Sequence, residues 1–412
     1  MKIEDLLDRT SDENYVHLER FVNDGSPTGF TEVNKVSPET DPFTGAERFS
    51  LLEFDDTSFE CEVIGQNKGY LTQSSNFAHP DSIDSLILEG AGAQLNESSL
   101  LVSPVAGSRT MLVRDASVGS CYLKLTYDMS RIGRVDRQLS REHCISSVEV
   151  SNELKGAADR GQLSSRVGIL LEPTARVTYL HGDHGRYEWG TIERERWAYP
   201  YSNVKNPTTL IPSFSLFGTD RKAPSDKKLI VQIIEWSGDS PEKYLLNLLE
   251  VIADGYWSIV HANAFHVECH AQNSLFEFDA DFRVKRLVIK DMDSVEKDAP
   301  LAEHLGINTT WQSKHLTMDT DIYYYPIRAS YMYDFKLGYY LLEPMISEVS
   351  RAFSLDVSAI DKKLRTYVQE RWLHGLPQNY FPSDGCWYRA DNTERKPGTR
   401  RKYLAQPKPR FR

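Results

Sequence analysis

Two short stretches concentrate residue types suited to phosphate and metal chemistry: Glu268-Cys269-His270-Ala271-Gln272-Asn273 and Lys290-Asp291-Met292-Asp293. Magnesium takes oxygen ligands, commonly one or two carboxylates together with phosphate oxygens. Asp291 and Asp293 alternate with Met292 just past an apolar run, Val284 to Ile289. A strand ending there would project its carboxylates into whatever cleft the sheet borders. Asn273 offers a neutral oxygen to the same ion, and His270 and Gln272 can hydrogen-bond a phosphate or a reacting carboxylate. One strand–turn–strand excursion separates Asn273 from Asp291, which would set them side by side. The pattern points to the nucleotide and metal end of an ATP-using site.

These residues need elements to hold them. Leu275-Phe276-Glu277-Phe278 and Val284 to Ile289 predict a hairpin around Asp279-Ala280-Asp281. Ahead of it a helix is predicted. Ser240 can cap it, Pro241 suits its first position and Glu242 its positive end. Tyr244, Leu245, Leu248, Leu249 and Ile252 share one face. Gly255 is read as the stop, with the apolar run Trp257 to Val260 leading into the motif. Leu229 to Trp236 is read as a strand, because Val231, Ile233 and Ile234 are β-branched. Met111-Leu112-Val113 and Tyr122-Leu123-Lys124-Leu125 flank Asp115 to Gly119 as the strands of a hairpin would. Further strands are expected at Glu60 to Ile64, Leu100 to Val105, Val167 to Leu171 and Val177 to Leu180. Helical patches are expected around Leu6-Leu7 and Tyr15 to Phe21, and mainly helix over 325–373. His181-Gly182-Asp183-His184 has metal-ligand types, but its glycine and charges fit a hairpin turn better.

At 412 residues the chain exceeds the roughly 250–300 that one core usually spans, so two or three lobes are expected. Hydrophobic residues make up 40%, enough to fill such cores, and the 21 tyrosines argue against a disordered chain. The net charge of −11 provides no overall field for nucleic acid or an anionic membrane. An anionic substrate would need its own cluster of Arg and Lys. Cys61, Cys121, Cys144, Cys269 and Cys386 are odd in number and form no C-x-x-C, which fits a reducing compartment and gives no zinc signature. Met1 to Asp5 carries no signal-peptide pattern and no apolar run is long enough to cross a bilayer, so a cytoplasmic protein is expected.

Glu268 to Asn273 resembles the E-x-H-x-Q-N motif of the NRPS-independent siderophore (NIS) synthetases of the aerobactin-synthetase type. Lys290-Asp291-Met292-Asp293 occupies the place of that family's R-D-F-x-(D/G) segment. Gly107-Ser108-Arg109-Thr110 resembles its S-x-R-T segment, Leu123-Lys124-Leu125 its L-K-L, and Arg137-Gln138-Leu139-Ser140 its R-x-L-S. Ile192-Glu193-Arg194-Glu195 is a weaker echo of a hydrophobic-Arg-Glu strand. Order and rough spacing agree over residues 104–300.

The resemblance implies an α+β fold of cupped palm, fingers and thumb, with an antiparallel sheet in the palm and a mainly helical C-terminal part. It divides the chain into a reduced, thumb-like region 1–105, a β-rich, fingers-like region 106–235 and a palm region 236–412. It implies an enzyme that adenylates a citrate-like carboxylate with ATP, releases pyrophosphate and passes the acyl group to an amine or alcohol. Ser108, Arg109, Thr110, Lys124, Gln272 and Asn273 would then bind the ATP phosphates. His270 would hold phosphate and the reacting carboxylate, and Arg137 would grip the carboxylate substrate. His270, Arg137 and Lys124 would be the catalytic set, and Glu268, Asn273, Asp291 and Asp293 would serve magnesium. Which of Arg131, Arg134 and Arg137 points inward stays open.

Some features depart from the family. Phe77-Ala78-His79-Pro80 is all that matches its G-H-P-x-H-P-x-x-K motif, Gly133 stands in place of a threonine, and members are longer. Two rivals remain. Protein kinases also use a loop Asn followed by a strand-end Asp, although their loop carries an acidic residue where none lies between His270 and Asn273. A kinase-like phosphotransferase and a non-catalytic nucleotide-binding relative are therefore carried forward. The expected partners are a small carboxylate and an amine or alcohol, with neither nucleic acid nor membrane; a homodimer is left open. The basic tail with Arg400, Arg401 and Lys402 is either a free end or folds back to the cleft.

Overall fold

The described residues of this computed structural model are 1–7, 12–23, 37–55, 57–66, 69–72, 75–107, 109–114, 120–132, 135–182, 185–202, 208–318, 325–382, 386–389, 403–406 and 409–412. The fold is mixed α+β. After helix α1 (Asp12–Phe21) come strands β1 (Phe49–Asp55), β2 (Glu60–Gly65) and β3 (Ser75–Ala78), then helix α2 (Leu86–Gly90) and β4 (Leu95–Pro104). The expected hairpin is β5 (Thr110–Val113) with β6 (Cys121–Leu125), and its turn lies outside the described residues. A two-stranded ribbon, β7 (Tyr127–Ile132) with β8 (Val135–Arg137), leads into helix α3 (Arg141–Asp159). Then follow β9 (Val167–Ile169), β10 (Thr174–Gly182) and β11 (Gly185–Glu195). The His181-Gly182 stretch does enter a hairpin turn, with Gly182 paired to Gly185, while Asp183 and His184 lie outside the described residues.

Eight of these strands form one sheet in the order β2, β10, β11, β6, β5, β4, β1, β3, with every neighbouring pair antiparallel. Strands from both sides of residue 105 share it. The second half starts with β12 (Thr209–Pro212) and the short helix α4 (Ser213–Phe217), followed by α5 (Leu229–Ser237) and α6 (Pro241–Asn263). Strands β13 (Phe265–His266), β14 (Ser274–Phe278), β15 (Val284–Ile289), β16 (Glu296–Asp298), helix α7 (Ala299–His304) and β17 (Thr317–Met318) come next. A second sheet runs β12, β14, β15, β9, and here β9 joins β15 in parallel. The rest is helical as expected: α8 (Tyr325–Ser330), a π-helical stretch Tyr331–Leu342, α9 (Glu343–Phe353) and α10 (Val357–Arg371). Residues 386–389 and 403–406 pair as a last hairpin.

Two expectations are corrected. Leu229 to Trp236 is helix, not strand. Leu229, Ile230, Ile233 and Ile234 are buried while Gln232 is half-buried and Glu235 and Trp236 are exposed, so the run has a helical period, and packing on that period overrides β-branched propensity. The stop signal that does operate is Gly238, in the left-handed conformation at φ 68°. Gly255 does not end α6, which continues through Trp257 to Val260 as far as Asn263. Its hydrogen atom is needed for packing: a Cβ there would stand 2.9 Å from Leu287 Cδ2 of β15. The start was legible, since Ser240 caps Lys243 N–H.

The main core wraps α6 and draws on both ends of the chain, from Ile3 to Phe411. Arg400, Arg401 and Lys402 lie outside the described residues, but the last residues fold back. Phe411 is buried and Arg412 pairs with Asp334 at 2.9 Å. Among the described residues, no helix is long and apolar enough to cross a membrane.

Candidate active site

Lys124 is the centre of the cluster. It lies in β6, inside the eight-stranded sheet, and its side chain is only 3% exposed. Its Nζ donates to Asp291 Oδ1 and to Asp293 Oδ1, each at 2.5 Å. Ile192 of β11 pairs with Lys124, so Arg194, two residues on, emerges on the same face. Arg194 reaches Asp291 Oδ1 at 2.7 Å and, through Nε, Glu172 Oε1 at 2.6 Å. Glu172 is fully buried and also accepts the Ser147 hydroxyl of α3 and the Met292 N–H at 3.1 Å. A buried carboxylate survives when cations and donors satisfy it, and Glu172 has both.

Asp291 follows β15 in the left-handed conformation, φ 76° and ψ 62°. Such a conformation is uncommon for a residue with a side chain, though aspartate tolerates it best. The turn is fixed by the Met292–Glu172 bond and by Ser294, whose hydroxyl donates to the Asp291 carbonyl at 2.7 Å. Met292 points into the core, so the two flanking carboxylates are left to face Lys124. Burial alone would raise the Asp291 carboxyl; Lys124 and Arg194 outweigh it, with help from Arg109, and hold it far below the ordinary range.

The Glu268–Asn273 turn lies alongside. Lys290 N–H donates to the Asn273 carbonyl at 3.1 Å, and Ser274 pairs with Ile289, so Asn273 lies opposite Lys290, one residue before Asp291. Within the turn, His270 Nδ1 accepts the Gln272 N–H at 3.2 Å, which puts the proton of a neutral ring on Nε2. That Nε2 stands 3.6 Å from Glu268 Oε2. Asn273 Nδ2 donates to the same oxygen at 3.3 Å, and Lys336 of the π-helical stretch pairs with Oε1. Burial pushes the Glu268 carboxyl up, but Lys336 and then His270 more than reverse it, leaving it well below the carboxylate range. The turn before β5 closes over this from the other side. A Cβ on Gly107 would stand 3.9 Å from Gln272 Nε2, and Thr110 pairs with Lys124. The Arg109 carbonyl accepts Leu125 N–H at 2.9 Å.

Four charged side chains, Lys124, Arg194, Asp291 and Asp293, thus meet between the first sheet and the turn that follows β15, with Arg109 acting on Asp291 electrostatically. No family model matches the chain, and no curated protein matches it in sequence. Solved structures do match its fold. Petrobactin biosynthesis protein AsbB from Bacillus anthracis aligns with TM-score 0.62 at 14% identity, over 84% of this chain and 62% of that one. ATP-bound aerobactin synthetase IucA from Klebsiella pneumoniae gives 0.63 at 14% identity, over 90% and 74%. Aerobactin synthetase IucC from the same organism gives 0.58 at 16%, over 81% and 64%. The chain has the fold of the NIS synthetases.

This chain spans less than two thirds of AsbB and of IucC. On the NIS-synthetase fold, Lys124, Asp291 and Asp293 meet directly, and Glu268, His270, Gln272 and Asn273 form one turn beside them. Ser108 lies outside the described residues; Arg137 ends β8, and the side chains of Arg131 and Arg137 lie outside the description, as does all of Arg134. His79 is buried, and its Nδ1 accepts the Asp81 N–H at 3.1 Å as the cap of a short helical turn.

The donor set suits a protein-held magnesium poorly. Asp291 and Asp293 share Lys124, and Glu268 is taken by Lys336. Among the described residues no group of three or more His, Cys, Asp or Glu converges on a point.

Sequence reasoning missed Glu172 and Lys336, and met Arg194 only as an echo. A signal for Glu172 existed: it is a lone carboxylate closing the apolar run Val167 to Leu171. Lys336 had none, because it comes from a helix distant in sequence.

Proposed function

We propose that this chain is an ATP-dependent ligase that joins a citrate-like or other polycarboxylate to an amine or an alcohol through an acyl-adenylate. The observation that carries the reading is the convergence of Lys124, Arg194 and Arg109 on Asp291, beside the His270–Asn273 turn, in a fold shared with proteins described as siderophore synthetases. In the first step a carboxylate oxygen bonds to the α-phosphorus of ATP and the bond to the bridging oxygen breaks, so pyrophosphate leaves with that electron pair. In the second, the amine or hydroxyl bonds to the acyl carbon, AMP leaves, and the nucleophile gives up one proton.

Both reactants of the first step are anions, and cations preorganised in a dry site oppose their repulsion without rearranging. Thr110, Gln272, Asn273 and Ser108 would share the phosphates. Arg137 and the Nε2 proton of His270 would hold the carboxylate. Holding it against the α-phosphate is worth about 7–11 kcal/mol of barrier in the best oriented cases. Magnesium enters this reading as the ion that accompanies ATP rather than one caged by Asp291 and Asp293. The palm, fingers and thumb layout, the cytoplasmic setting, the small-molecule partners and the place in siderophore or related natural-product synthesis belong to the same proposal.

The test is carboxylate-dependent exchange of labelled pyrophosphate into ATP, screened over di- and tricarboxylates, with product analysis after adding amines. AMP and pyrophosphate are expected. ADP would replace this reading with phosphotransfer, and ATP binding without turnover would replace it with a nucleotide-binding relative.

A further inference from the structure

We infer that Glu19, on the N-terminal helix α1, is a positioning residue that clamps the turn carrying Arg109 to the strand end carrying Asp291. The inference rests on the functional reading above for its meaning in catalysis, but not for its geometry.

Glu19 is fully buried. Its Oε2 accepts the Ala106 N–H at 3.2 Å. Its Oε1 accepts the Tyr15 hydroxyl at 2.7 Å and Lys290 Nζ at 3.1 Å. Each bond has a consequence at the site. Ala106 directly precedes Gly107, where an added Cβ would stand 3.9 Å from Gln272 Nε2. Lys290 directly precedes Asp291, and its own N–H holds the Asn273 carbonyl. One carboxylate therefore joins the phosphate-side turn, the Asp291 strand end and, through that strand end, the His270 turn.

The packing of α1 does not itself require a carboxylate. Its neighbours Tyr15, Val16 and Leu18 are buried in apolar clusters, and a Leu or Met at position 19 would continue that face. Burying a carboxylate is costly unless its oxygens are filled, and here three donors fill them. Tyr15 stays a donor across the working range, since burial first and the Glu19 charge second push its hydroxyl well above the ordinary tyrosine value. Lys290 is mostly buried and makes its ion pair with Glu19. The three donors come from three separate segments, which is the arrangement of a clamp rather than of a helix cap.

The experiment uses the full chain with Glu19→Gln and, separately, Lys290→Met, which breaks the clamp from its other side. The amide of a Gln cannot accept at both former oxygens, so one side of the clamp opens while volume is kept. Two readouts are taken on variants shown to be folded by circular dichroism. Backbone amide exchange over 104–112 should speed up about tenfold, the size expected from losing one hydrogen bond to a charged group. In pyrophosphate exchange the KM for ATP should rise by about the same factor, with kcat and the KM for the carboxylate nearly unchanged. A purely structural role would lower thermal stability and leave that KM split absent. Unchanged amide exchange over 104–112 in a folded variant overturns the inference. If the wild type turns over no ATP, the functional reading falls, and the exchange measurement still decides whether Glu19 positions the turn. Should Glu19→Gln not fold, Lys290→Met carries the KM readout together with amide exchange over 288–292, the strand end that its own bond to Glu19 holds, and unchanged exchange there overturns the inference.

Discussion

Two residues near Lys124 give the sharpest tests at the scale of single side chains. Arg109 acts on Asp291 without being its main partner, and His270 presents an Nε2 proton. If they contact the reacting anions, Arg109→Ala and His270→Ala should each cut pyrophosphate exchange by about a hundredfold or more, the usual cost of one preorganised donor. Their thermal midpoints should stay close to wild type. Near-normal exchange in either variant would remove that residue from the site. A second test concerns His143, the N3 residue of α3, whose ring lies 4.1 Å from that of His315. Burial is the largest cause that lowers its pKa, to about 4; Asp293 opposes, while His315, Lys124 and Arg109 add to burial. The His315 value is lowered in the same direction, again chiefly by burial. The unfolded chain therefore takes up these protons first. Stability is complete above about pH 6.5 and falls as pH drops toward the folded value, by up to about 3 kcal/mol for His143. His143→Gln, which can keep the capping interaction with Ser140, should flatten urea-unfolding stability across that window. An unchanged slope would count against it. Asp291 and Glu268, both held low, act only below about pH 4, where their protonation removes stability. At this scale the sequence was informative wherever chemistry is local. Asp291, Asp293 and Asn273 were legible because one hairpin brings them together. Glu172 and Lys336 were not, because burial of a carboxylate by distant partners leaves no spacing to read.

The elements show the same division. The β5–β6 and β14–β15 hairpins follow from alternating apolar runs around turn residues, and Ser240 announces α6, whereas α3, capped by Ser140, is not among the expected elements. In α5 the β-branched Val231, Ile233 and Ile234 mask a helical period whose outer side is Gln232, Glu235 and Trp236. Gly255 was misread because glycine near an apolar run can mean a stop or a close approach. It lies inside α6 where Leu287 of β15 leaves no room for a methyl group, and β15 runs on to Asp291. Gly255→Ala therefore sets two effects against each other. Helix propensity favours alanine by about 1 kcal/mol, while overpacking a tight core costs about 1–3 kcal/mol. With the Cβ at 2.9 Å from one Leu287 atom and 3.0 Å from another, overpacking should win. The variant should unfold at lower urea and lose some exchange activity as β15 shifts. Equal or higher stability would mean that Leu287 moves aside freely.

At the scale of the whole molecule, the site doubles as a seam. The eight-stranded sheet has apolar clusters of its own, while the second sheet belongs to the large core around α6. Helix α3 packs against both, and two groups of side chains also join them directly. One is a small apolar cluster that mixes Leu112 and Tyr122 of the first sheet with Leu275 and Val288 of the second, and with Tyr15 and Val16 of α1. The other is the charged network in which Lys124 and Arg194 of the first sheet hold Asp291, just past β15 of the second, and Lys124 also holds Asp293. Removing one partner from a buried ion pair costs about 3–5 kcal/mol, because the charge left behind is unpaired. Arg194→Met would leave Glu172 without its cation and strip Asp291 of one of the two cations paired directly with it. That loss falls on the join rather than on either core. Unfolding followed by segment-resolved amide exchange in urea should show 185–195 and 274–289 opening together in the wild type. In Arg194→Met the two should separate, each core keeping most of its own protection. Both segments moving together to lower urea would mean that the apolar cluster and α3 suffice to couple the sheets. The charged network would then be a binding site only, with its stability cost borne locally by Glu172.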